Sequence, residues 1–230
     1  MIVLVHAGIC DARMWDGFDV PGLRHELRGS GSTPLPPTGS YSDADDLIEA
    51  LGGEAATLVG SSFGAWVCLQ VAVAHPELVS DLVLLGAPLP DHDWSAELRA
   101  HSRQEEGLLE QGDLHGAAIV SADFWLEAPE PRRRVIEMQQ RSYELQSESE
   151  AEAIEPETVD LGAIAARTLV AVGQLDKRDF HEIADRLVAG IAGAERAVIA
   201  GAGHLPSLEK PRETAALVRN FLADKDLAAF

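Results

Sequence analysis

This chain is poor in cysteine, in aromatic residues and in positive charge. Its two cysteines, Cys10 and Cys68, are too few for a disulfide framework. Lys and Arg number 18 against 38 Asp and Glu, a formal charge of −20, so nucleic acid and anionic membrane surfaces are expected to be repelled rather than bound. No apolar run approaches the ~20 residues that span a bilayer. No charged stretch, apolar run and cleavage site precede Ile2-Val3-Leu4-Val5, so the expectation is a soluble, cytoplasmic protein without a signal peptide. Missing too are a Gly-x-x-x-x-Gly-Lys loop, a His-Glu-x-x-His pair and paired Cys ligands. Nucleotide hydrolysis and a zinc site are therefore not expected, and no cofactor or metal is called for. The cluster Asp91-His92-Asp93 is noted as a weak metal candidate and set aside.

What is present is one core's worth of apolar residues, 46% of a 230-residue chain. The stretch that organises them is Gly60-Ser61-Ser62-Phe63-Gly64, a Gly-x-Ser-x-Gly pattern. The apolar run Ala56 to Val59 leads into it, and a helix-like run from Ala65 to His75, stopped by Pro76, leads out. Strand, sharp turn and helix in that order force a strained backbone at the turn and expose its serine hydroxyl. The flanking glycines let strand and helix pass closely. The helix N-terminus turns free N–H groups and the positive end of its dipole to the same spot, where negative charge on a substrate oxygen is stabilised.

Other buried-strand signals are Ile2 to Val5, Leu82 to Leu85, Thr168 to Val172 and Ala197 to Ala200, with a poor strand at Leu23 to Leu27. Helices are expected from Ser42-Asp43 to about Leu51, from about Phe180 to Ile191 and from Pro211 to about Ala223. The alternation predicts an α/β fold, a mostly parallel sheet with helices on both faces. From Leu89 to Leu161 no buried strand is legible; the segment reads as charged and helical, with an acidic run from Glu144 to Glu157 expected to be solvated. The expected division is therefore a core of residues 1–88 and 162–230 with a helical lid at 89–161. Trp94, Phe124 and Trp125 in that segment either fill its core or line a pocket. Cys68 reads as core. Cys10, in the loop after the first strand, is either core or a reactive thiol.

Ser62, Asp176 and His204 each sit just past the C-terminal end of an expected buried strand. In an open parallel sheet those ends share one edge, where ligands bind. The three side chains can then meet as nucleophile, orienting acid and general base. Asp179 is the reserve for the acid.

The motifs His6-Ala7-Gly8 with Trp15, Arg28-Gly29-Ser30-Gly31-Ser32, the Ser62 turn, Gly173-Gln174-Leu175-Asp176 and Gly203-His204 resemble those of the α/β-hydrolase superfamily. The segment Gly203 to Pro211, with Glu209 before Lys210-Pro211, is similar to that of small esterases and 3-oxoadipate enol-lactonases. The resemblance implies an α/β-hydrolase fold and a Ser62–His204–Asp176 triad. It implies an oxyanion hole from the N–H groups of Phe63 and Gly8, with Ile9 the alternative second donor. Ile9, Trp94, Phe124 and Trp125 become candidate substrate contacts. Ala7 stands where the family usually has Gly, Glu26 where it has Asp, and the stretch from Trp15 to Glu26 is shorter than usual. Serine rather than aspartate at the turn argues against dehalogenase and epoxide-hydrolase chemistry. The expected function is hydrolysis of a small carboxylic ester or lactone through an acyl-serine. The alternatives are a lyase or C–C hydrolase, an acyltransferase or perhydrolase, or a ligand receptor that retains the triad. Oligomeric state is left open.

Overall fold

The computed structural model describes residues 1–223. In chain order its strands are β1 (Ile2–Val5), β2 (Leu23–His25), β3 (Ser40–Tyr41), β4 (Ala56–Ser61), β5 (Val79–Leu85), β6 (Glu152–Ala153), β7 (Arg167–Gly173) and β8 (Glu195–Ile199). The α-helices are α1 (Asp43–Leu51), α2 (Phe63–Ala74), α3 (Ala96–Glu110), α4 (Leu114–Trp125), α5 (Arg132–Ser147), α6 (Arg178–Gly190), α7 (Pro206–Glu209) and α8 (Pro211–Ala223). Six strands form one sheet in the order β2-β1-β4-β5-β7-β8, and every pairing in it is parallel.

The interior strands are apolar on both faces because both faces are covered. Val3, Val5, Leu58, Leu82, Leu84, Val170 and Val172 pack into one core layer with residues of α1, α2 and α6. The alternate residues Leu4, Val59, Val83, Leu85, Leu169 and Ala171 point the other way. They pack with Ala215, Val218 and Phe221 of α8 and with Met14 and Trp15 of a 3-10 turn. That second layer continues into α4 and α5. The edge strands differ. All of β2 and most of β8 are at least partly exposed, which is why Leu23 to Leu27 makes a poor strand signal and pairs only as far as His25.

Local signals set the helix ends. Ser42 caps α1 by accepting the Asp45 N–H at 3.1 Å. The α2 helix is buried all round, from Gly64 to Ala72, so it has no polar face. Helices α3, α4 and α5 follow β5 and precede β7, and they contribute no strand to the main sheet. Ser95 and Asp113 cap the first two of them.

This helical segment is fastened to the sheet region in several places. Asp179 on α6 accepts the Ser95 N–H at 2.7 Å. Ser142 donates to the Gly29 carbonyl at 2.7 Å. Two short strands, β3 and β6, pair in parallel, Ser40 with Glu152 and Tyr41 with Ala153. The acidic run is largely exposed beyond Ser147, with one departure from a purely solvated stretch: Glu155 accepts the indole N–H of buried Trp66 at 2.8 Å. No helix among the described residues is long and apolar enough to cross a membrane.

Candidate active site

The strand ends converge because the sheet is parallel throughout. β1 runs into His6 to Cys10, β4 into Ser62, β5 into Gly86, β7 into Asp176 and β8 into His204. Ser62 sits between β4 and α2 with φ 50° and ψ −121°, and it is the single non-glycine residue with positive φ among those described. Its N–H donates to the Leu85 carbonyl at 2.8 Å and its carbonyl accepts the Ala65 N–H at 2.8 Å, which fixes the turn on both sides. The glycines of the pentapeptide answer a steric need. A Cβ on Gly60 would lie 2.5 Å from Ala65 Cα, and one on Gly64 would lie 2.3 Å from the His6 carbonyl oxygen. Strand, turn and the neighbouring loop are too close for any larger residue.

The Ser62 hydroxyl is 2.8 Å from His204 Nε2. His204 Nδ1 lies 3.1 Å from each carboxylate oxygen of Asp176. Since a carboxylate only accepts, Nδ1 carries the proton and Nε2 is left to accept from the serine. Asp176 also accepts the Lys177 N–H at 2.8 Å, so its carboxylate is held while its side chain is fully buried. The imidazole is clamped by rings: Phe180 at 4.1 Å and Trp125 at 4.5 Å between centroids. Gly86 also packs close to it, where a Cβ would come 3.3 Å from the ring.

A cavity of about 470 Å³ opens above the hydroxyl. Phe63, Pro88, Trp94, Trp125 and Phe180 give it apolar lining, and Leu98, Arg99, Ser102, Arg103 and Glu106 of α3 supply the rest.

The sequence model of the alpha/beta hydrolase family matches residues 2–217. The chain belongs to the alpha/beta hydrolase family. It is 26% identical over 215 residues to 2-hydroxymuconate semialdehyde hydrolase from Pseudomonas putida, a match covering 87% of this chain and 76% of that one. An esterase from Thermogutta terrifontis superposes with a TM-score of 0.76 at 23% identity, covering 97% of this chain and 89% of the other. The enol-lactonase of Burkholderia xenovorans superposes at 0.75 with 20% identity, covering 96% and 90%.

In this alpha/beta hydrolase the loop after β1 is a tight turn, with the Cys10 N–H bonded to the Ala7 carbonyl at 2.9 Å. The middle residues of that turn are Gly8 and Ile9, whose N–H groups the turn bond leaves free. Gly8 lies against Phe63, whose Cβ is 3.3 Å from where a Gly8 Cβ would be. Phe63 begins α2, so its N–H has no earlier turn to bond. Buried His6 holds the loop from below: its Nδ1 donates to the Ala7 carbonyl at 2.9 Å and its Nε2 accepts the Leu27 N–H at 3.0 Å. Glu26 accepts the Ala12 N–H at 2.8 Å, so it braces the same loop.

Several expected contacts lie elsewhere. Phe124 is outside the lining of the cavity above Ser62; it stacks on His101 at 3.9 Å, with Lys177 Nζ 4.4 Å from its ring. Its neighbour on the helix, Trp125, takes the inward direction. Ile9 is partly buried and packs with the second core layer, outside the same lining. Cys10 is fully buried, and burial, with Asp11 nearby, pushes its thiol far up; it is core, not a reactive thiol. Asp179 is committed to Ser95 and to His92, 3.2 Å away, and does not face His204. Burial raises its carboxyl, but those hydrogen bonds outweigh it and hold the group below the ordinary range. Among the described residues no cluster of three His, Cys, Asp or Glu side chains could hold a metal ion.

Two contributors carry no local signal in the sequence. Phe180 reads as an ordinary helix residue and is a wall of the cavity. Glu209, seen only as a motif letter, accepts N–H groups of Leu205, Glu127 and Ala128, each at 3.2 Å. It ties the loop bearing His204 to the end of α4, and it does so despite burial that raises its own carboxyl.

Proposed function

We propose that this chain is a serine hydrolase that cleaves a small carboxylic ester or lactone through an acyl-serine intermediate. The observation that carries the reading is the unbroken hydrogen-bond line from Ser62 through His204 to Asp176. A serine hydroxyl is a weak nucleophile at neutral pH, and a base in contact takes its proton as it attacks. His204 Nε2 receives that proton, and the buried Asp176 carboxylate fixes the tautomer and stabilises the imidazolium. Charge then builds on the former carbonyl oxygen. The N–H groups of Phe63 and Gly8 are the donors assigned to it, each worth about 3 kcal/mol in comparable sites. His204 returns the proton to the leaving alcohol, which departs and leaves the acyl-serine. Water then attacks that ester with His204 again as base, giving the acid and free Ser62. Residues 89–161 act as the lid over the core of 1–88 and 162–230, and Trp94 and Trp125 touch the substrate.

The test is Ser62→Ala. Turnover of a small activated ester is expected to fall by ~10⁵ or more, by analogy with other serine nucleophiles, and labelling by a fluorophosphonate to vanish. Undiminished turnover in that variant ends the reading.

A second reading is favoured by one observation, the name of the Pseudomonas putida relative. On that reading the same three residues hydrolyse a C–C bond beside a ketone. Product analysis separates the two: ester and lactone panels stay unturned while a semialdehyde dienoate is cleaved to two fragments.

A further inference from the structure

The cavity above Ser62 has an uneven lining. Its contributions from α3 fall at 98, 99, 102, 103 and 106, one face of a helix. Leu98 is buried, and Arg99, Ser102, Arg103 and Glu106 are all exposed and form the mouth. Two guanidinium groups one turn apart therefore open onto a cavity whose remaining walls are aromatic and aliphatic.

One of those arginines, Arg103, is out of pattern for this chain. With 38 carboxylates to 18 cations, most arginines are paired, as Arg13 is to Asp11, Arg24 to Asp16, Arg28 to Asp46 and Arg186 to Asp91. Arg103 has no carboxylate partner among the described residues. Arg99 is bonded at 3.2 Å to Asp93, a side chain wholly in solvent, which competes weakly with any better-shielded anion. Glu106 is the one carboxylate in the lining, so the lining itself carries two cations against one anion beside an otherwise apolar cavity.

We propose that Arg99 and Arg103 bind a carboxylate at the far end of the substrate, so that the preferred ester or lactone carries an apolar acyl body ending in an anion. The inference rests on the hydrolase reading above for the reacting end only. The aromatic walls hold the methylene body, and the planar guanidinium forks match a carboxylate in two-point contact. Ser102, between the arginines on the same face, adds a hydroxyl donor. Glu106 limits the site to one negative charge.

The experiment compares hemiesters of C4 to C8 diacids with the matching esters of monocarboxylic acids, in wild type and in the Arg99→Ala, Arg103→Ala double variant. The wild type is expected to favour the charged ester in kcat/KM by about tenfold or more, the scale of losing a charge-assisted hydrogen bond, and the double variant to lose that ratio. Arg103→Lys is expected to retain part of the preference, and Glu106→Gln to increase it. In parallel, tryptophan fluorescence, reporting Trp94 and Trp125, is titrated with adipate and with 1,6-hexanediol. Saturable adipate binding that disappears in the double variant supports the site even where no ester is turned over; the anion site then stands and the hydrolase reading falls. Equal turnover of charged and neutral esters by wild type, or adipate binding no tighter than the diol, overturns the anion site and leaves the hydrolase reading intact.

Discussion

The C-terminal edge of the sheet and the helical segment between β5 and β7 both line the cavity above Ser62, and they fix their side chains by different means. At the edge, backbone does the fixing. Ser62 is set by a strained turn between β4 and α2, and His204 by a carboxylate, two aromatic rings and the bare backbone of Gly86. Little can be changed there without moving Ser62 or His204. Along α3 the cavity-facing residues are side chains on an ordinary helix, and all but Leu98 are exposed. The difference separates two jobs. Substitutions at the edge are expected to act on kcat, and substitutions on the segment on KM and on choice of substrate.

The largest effect tests the edge. Asp176→Asn preserves shape but lets His204 adopt the wrong tautomer, and kcat is expected to fall ~10⁴-fold with KM little changed, as for the equivalent change in other triads. Steady-state kinetics decide it; a rise in KM with kcat intact would mean that Asp176 belongs with binding. Next comes the segment. Trp94→Ala removes a large cavity wall and is expected to raise KM by roughly tenfold while kcat changes little, the scale of one buried aromatic contact. A loss confined to kcat would erase the distinction between the two regions.

A smaller effect probes where they meet. Asp43, at the start of α1, is pushed up to about 6 by burial, with Asp46 and Glu155 of the helical segment adding repulsion. The folded protein therefore holds this proton more readily than the unfolded chain. The contribution of Asp43 to stability is therefore greatest below the ordinary carboxylate range, declines as pH rises toward about 6, and is level above it. Asp43→Asn keeps an acceptor for the Arg28 N–H, 3.1 Å away, and removes that decline. At pH 7.5 it is expected to gain about 2 kcal/mol over wild type by urea melts, and at about pH 3 almost nothing. An equal gain at both pH values would place its origin elsewhere.

The edge was legible in the sequence because its geometry is written in small residues and strand ends. Gly60, Gly64 and the strand-terminal positions of Ser62, Asp176 and His204 follow from periodicity and from sterics that allow one solution. The segment was legible only as helical. Whether Phe124 or its neighbour Trp125 faces inward depends on how α4 rotates against the rings of His101 and His204, and no local pattern encodes that rotation. The same holds for α3: a charged helix face reads as solvated whether it meets water or a cavity. Glu155 shows the converse, one member of an acidic run singled out by a buried indole 89 positions earlier in the chain. Phe180 and Glu209 are illegible because their partners are distant in the chain, Trp125 for Phe180 and, 82 positions away, the Glu127 N–H for Glu209.

The left-handed backbone at position 62 has a consequence for how long this protein lasts. Any side chain there crowds its own main chain, at a cost of order 1–3 kcal/mol, and glycine would relieve most of it. Ser62→Gly is therefore expected to melt later than wild type while turning nothing over, a result that differential scanning calorimetry would show directly. Durability and turnover pull in opposite directions on one Cβ atom, so a chain selected for persistence alone would have discarded this serine.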